Sequence, residues 1–138
     1  MKKLFVGIAA LFVLLAFTSC KQEPSTVTLV DVFYTDTNPY TATYEDLPHV
    51  TSLKSGENYY LVCKFIQPDL NCAKLRMTYD SKDVDYPFSS LYVDDYVWWN
   101  GQSWNAGSSS HSINLSFSII DNEGRSSNSK QVLIELHK

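Results

Sequence analysis

The sequence predicts an all-β domain, an antiparallel sandwich or small barrel, carried behind an export leader. Three observations lead there. Apolar and polar residues alternate at period 2 in several segments after Val27. The joints between those segments hold Pro, Asp, Asn and Gly in turn-forming combinations. No window of eleven residues carries the period of an amphipathic helix.

The leader comes first. Lys2 and Lys3 precede the uncharged apolar run Leu4 to Phe17, which is shorter than the roughly 20 residues of a membrane span and suits a signal h-region. Thr18, Ser19 and Cys20 close it. Phe17-Thr18-Ser19-Cys20 resembles the lipobox of bacterial lipoproteins, with Phe where Leu is commonest. The resemblance implies cleavage before Cys20, a thioether-linked diacylglycerol on its sulfur and an acyl chain on its amine. Several chains anchor stably where one binds only marginally, each buried CH₂ contributing about 0.8 kcal/mol. Lys21 in place of aspartate points to the outer membrane, with the protein facing periplasm or cell surface. The expected organisation is a signal peptide over 1–19, lipidated cysteine and polar tether over 20–26, and one domain over 27–138.

Losing Lys2 and Lys3 leaves nine basic against fifteen acidic residues, a net charge of −6. Without a basic stripe a nucleic-acid partner is not expected, and no Lys/Arg cluster is present to grip anionic lipid. The expected membrane contact is the lipid on Cys20.

The strands follow in order. Val27–Tyr34 makes a first one. Asn58–Ile66 sets Tyr59, Leu61, Cys63 and Phe65 on one face, and Ala73–Tyr79 turns Ala73, Leu75, Met77 and Tyr79 inward. Ser112–Ile120 buries Ile113, Leu115, Phe117 and Ile119, and Gln131–Leu136 closes the chain. Gln67-Pro68-Asp69-Leu70-Asn71 and Asp121-Asn122-Glu123-Gly124 are predicted turns.

Leu53 to Val62 (LKSGENYYLV) looks like the loop-Gly-Glu approach to strand B of bacterial immunoglobulin-like domains, and Ile113 to Leu136 is similar to their F–G hairpin. The resemblance implies an immunoglobulin-like antiparallel β-sandwich, without specifying a task, because that fold hosts many. The strand B to F disulfide of antibody domains has no partner for Cys63 near Phe117.

Cys63 and Cys72 are the thiols left once Cys20 is lipidated, and in an exported chain they form a candidate disulfide across a turn. Strand parity opposes the bridge: Cys63 points inward, while Cys72 shares parity with outward Lys74 and Arg76. His49, His111 and His137 lack zinc-ligand spacing, and no G-x-S-x-G elbow or phosphate loop occurs. Asp80, Asp83 and Asp85 do not have the spacing of an EF-hand and read as turn aspartates. No catalytic residue, metal or cofactor is expected.

The densest chemistry lies in Leu91 to Gly107, which holds all three tryptophans. Asn100-Gly101 between extended residues is the strongest short signal for a type I′ hairpin. A hairpin there puts Val97, Trp99 and Trp104 on one face and Tyr96 and Trp98 on the other. One face can pack on the core; the other either exposes aromatics or is covered by the loop after Trp104. Tyr96, Trp98, Trp99, Asn100, Gln102 and Trp104 are therefore the candidate ligand-binding residues, suited to a protein or to sugar rings. The expected function is a non-enzymatic binding or structural module of the envelope, with glycan binding for a polysaccharide-handling system as the alternative.

Overall fold

The computed structural model describes residues 23–66, 72–88, 93–94 and 97–138. Nine strands form two sheets, and no α-helix occurs among the described residues. One sheet runs in the order β1 (Thr28–Thr35), β3 (Asn58–Ile66), β7 (Val97–Ser103), β6 (Val93–Asp94). The other runs β2 (Ser52–Lys54), β9 (Lys130–His137), β8 (His111–Asp121), β4 (Cys72–Tyr79), β5 (Lys82–Pro87). All pairings are antiparallel except β2 with β9. The architecture is an immunoglobulin-like β-sandwich, as the alternation and the resemblance imply.

Alternation builds the core directly. Leu29, Leu61, Cys63, Phe65 and Trp98 of the first sheet meet Leu75, Met77, Leu115, Phe117, Ile119 and Ile134 of the second, all at most 5% exposed. β3 occupies the predicted residues, and β1, β4, β8 and β9 match theirs within a residue or so at each end. Asn128 ties the layers together: its amide exchanges hydrogen bonds with the backbone of Leu29, accepting from the N–H (2.8 Å) and donating to the carbonyl (2.9 Å). The predicted turn at Asp121 is present. Asp121 Oδ1 accepts from the N–H groups of Glu123 and Arg125, and Gly124 takes the left-handed φ of +79°. The predicted turn over 67–71 lies outside the described residues.

The Asn100-Gly101 hairpin is not formed. β7 runs straight through it, pairing with β3 at seven consecutive positions from Lys64↔Val97 to Asn58↔Ser103. Neither Asn100 nor Gly101 has the positive φ that a type I′ turn requires. That geometry belongs to Asp80 and Ser81 (φ 48° and 60°), which join β4 to β5. Asp83 and Asp85 consequently lie on β5. Asp85 accepts a two-pronged bond from Arg76 (2.7 and 3.0 Å) and pairs with Lys74 (2.6 Å), so these carboxylates stitch an edge strand to the sheet.

The straight strand also redistributes the tryptophans. Trp98 and Trp104 share the inner face, and Trp99 is on the outer face. That outer face is covered by the stretch 36–50, not by the loop after Trp104. Leu47 packs there on Phe33 and Val62, with Ala42, Tyr44, Tyr60, Val97 and Trp99 around them. Tyr40 stands edge-on to the Trp99 ring at 4.4 Å.

A candidate binding cleft between the sheet edges

From Trp98 onward the inner face carries Trp98, Asn100 and Gln102 of β7 and then Trp104, the first residue past the end of the strand. Trp98 is core: 1% exposed, tilted against Tyr86 (5.9 Å) and edge-on to Phe88 (5.5 Å). Beyond it the row turns polar. Tyr86, on the edge strand β5 of the opposite sheet, completes a cleft of about 330 Å³ lined by Asn100, Gly101, Gln102, Ser103 and Trp104. The site sits where the lateral margins of the two sheets face each other.

Its polar groups are incompletely satisfied. Gln102 Oε1 accepts from the Tyr34 hydroxyl (3.0 Å), which arrives from β1 across β3. Trp98 Nε1, Gln102 Nε2 and Trp104 Nε1 are buried N–H donors with no hydrogen bond of good geometry. The Gln102 amide and the Trp104 indole lie beside the Tyr86 and Tyr34 hydroxyls respectively, without closing a well-formed bond. Burial pushes both phenols above their ordinary pKa, with those neighbours acting weakly the other way, so both stay neutral hydroxyls at physiological pH. An unmet buried donor costs about 1–3 kcal/mol. Two of the three, on Gln102 and Trp104, belong to residues that line the cleft.

Trp104 is held as a half-buried wall. Its ring stands edge-on to Tyr34 at 6.2 Å, its carbonyl accepts from Gly56 N–H (3.1 Å), and the following Ala106 N–H bonds Ser55 Oγ (2.8 Å).

Of the sequence-derived candidates, the structure brings Asn100, Gln102 and Trp104 together in the cleft, with Trp98 beneath them. Trp99 lies on the opposite face of the sheet, and Tyr96 and Cys20 lie outside the described residues. Tyr34 and Tyr86 were not singled out from sequence. The only signal was alternation in Asp83-Val84-Asp85-Tyr86, masked by its charges. Cys63 is fully buried on β3, and Cys72 is half-buried at the start of β4 in the other sheet. Burial raises the pKa of both. His49 stacks on Phe33 at 3.6 Å, His111 bonds the Ser109 carbonyl, and His137 lies 3.5 Å from Glu135. Among the described residues no three His, Cys, Asp or Glu side chains are grouped to hold a metal.

No protein-family model matches the chain, and no curated protein matches it in sequence. Its fold is similar to that of a Niemann-Pick type C2 protein from Japanese carpenter ant, with TM-score 0.50 and 7% identity over 83% of this chain and 96% of that one. At that identity the likeness concerns the fold.

Proposed function

We propose that the chain is an envelope lipoprotein, anchored through Cys20, whose sandwich is a non-enzymatic binding module with its ligand in the cleft of Asn100, Gln102 and Trp104. The observation that carries this reading is the open cleft in which Asn100, Gln102 and Trp104 meet Tyr86 of the opposite sheet. No nucleophile–base pair stands beside the cleft among the described residues, which favours binding over catalysis.

The topology suits display. The chain enters the sandwich at Thr28, which pairs with Ile66 at one end of β3, while Ser103 pairs with Asn58 at the other. Eight residues of β3 separate those levels, about 26 Å at 3.3 Å per residue. A ligand at Gln102 and Trp104 would therefore lie at the end of the sandwich remote from Thr28, where the chain enters it.

The test is a titration of the full chain with protein-free envelope extract, followed by tryptophan fluorescence. A saturable change that is lost in Trp104→Ala supports the reading. No saturable change, or the same change in the variant, refutes it.

A further inference from the structure

Resting on that reading, we propose that the ligand is an uncharged saccharide, stacked by a ring face on Trp104 and hydrogen-bonded by Gln102 and Asn100. Three features of the cleft select this chemistry.

The first is the absence of charge. The lining is Tyr86, Asn100, Gly101, Gln102, Ser103 and Trp104, none of them ionised at neutral pH. A charged ligand seated there would find no counter-ion in the lining, and the net negative chain opposes an anion further. The second is the kind of polar group. The Asn100 and Gln102 carboxamides and the Tyr86 hydroxyl each donate and accept, as sugar hydroxyls do. The Gln102 and Trp104 N–H groups lie beside the Tyr86 and Tyr34 hydroxyls without closing well-formed bonds, and a small turn of either side chain would offer them to ligand oxygens. An acyl chain offers them nothing and would strip water from both amides. The third is the indole wall. Trp104 is fixed by Tyr34, Gly56 and Ser55 contacts around it and, only partly buried, lines the cleft beside the amides. The volume, about 330 Å³, is at the lower end for small-molecule sites and suits a short oligosaccharide segment lying in an open groove.

The experiment uses the full chain in a detergent without a sugar head group, probed on an array of neutral and acidic oligosaccharides. Calorimetry follows with the strongest neutral hit, with a uronate oligomer of equal length, and with lauric acid. The expected result is one neutral oligosaccharide per chain. Trp104→Ala and Gln102→Ala should each weaken it at least tenfold, while exposed Leu133→Ala on the other sheet leaves it unchanged. Circular dichroism establishes that each variant is folded, and the milder Trp104→Phe, which keeps a ring but removes the N–H, should bind at intermediate strength. The proposal is overturned if no neutral oligosaccharide binds, if the uronate binds as tightly, or if both cleft alanine variants bind like wild type. Should the envelope extract or lauric acid still titrate the cleft while neutral sugars do not, the ligand class is wrong and the binding-module reading stands. If nothing titrates it, both fall.

Discussion

Trp98 offers the sharpest test of how β7 lies in the sandwich. A hairpin at Asn100-Gly101 would separate Trp98 and Trp104 onto opposite faces, whereas the continuous strand buries Trp98 at 1% exposure against Tyr86 and Phe88. A Trp side chain buries about 200 Å². At 25 cal/mol per Å² that is about 5 kcal/mol as an upper figure, and large-to-small aromatic truncations cost about 3–5 kcal/mol. Trp98→Ala should therefore remove about 3–5 kcal/mol in urea unfolding, a large part of a small domain's stability of about 5–15 kcal/mol. Trp98→Phe refines the argument. It keeps a ring in the slot and deletes an indole N–H that has no partner. Relief of that unmet donor, about 1–3 kcal/mol, offsets much of the lost ring volume, so the Phe variant should fall within about 1.5 kcal/mol of wild type. A loss below about 1 kcal/mol for Trp98→Ala would show that the ring is not core. A Phe variant as damaging as the Ala variant would show that the N–H is bonded after all.

Other outcomes follow from the same structure. Arg76 first, then Lys74, hold the Asp85 carboxyl well below the usual carboxylate range, so its contribution is present above the unfolded pKa near 4 and is lost as pH falls through the folded value. Because the group is partly exposed, Asp85→Asn should cost only about 1 kcal/mol at pH 7, shrinking towards zero in denaturation curves taken below pH 3; a constant deficit at every pH contradicts this. Under native conditions at pH 8, iodoacetamide should modify Cys72 slowly and Cys63 only after unfolding, as peptide mass spectrometry will read; an unreduced intact mass two hydrogens light would reveal a bridge instead. Metabolic labelling with an acyl-chain analogue should mark the wild type and not Cys20→Ala; an unlabelled, soluble wild type removes the proposed anchor.

The strands that bury one face could be read from alternation, because a one-residue slip in β8 would carry Ile113, Leu115, Phe117 and Ile119 out of the core. β5 was not legible. Lys82-Asp83-Val84-Asp85-Tyr86-Pro87 looks like a solvated loop until Arg76 and Lys74 of the neighbouring strand are placed opposite its aspartates. The hairpin expectation failed for a related reason. Asn-Gly is a strong local preference, but seven consecutive pairs with β3 outweigh it, and the left-handed geometry passes to Asp80 and Ser81, whose short polar side chains tolerate it. The same change of parity shaped the candidate site. Asn100, Gln102 and Trp104 stood out in the sequence as aromatics beside amides, yet a turn between them would have scattered their directions. Running uninterrupted to Ser103, β7 aims Asn100 and Gln102 at the gap between the sheets with Trp104 just past its end, where Tyr34 and Tyr86 arrive from strands far along the chain. No local pattern encodes that meeting. It follows from the sandwich closing Trp98 into the core, which obliges every second residue beyond it to face the same way.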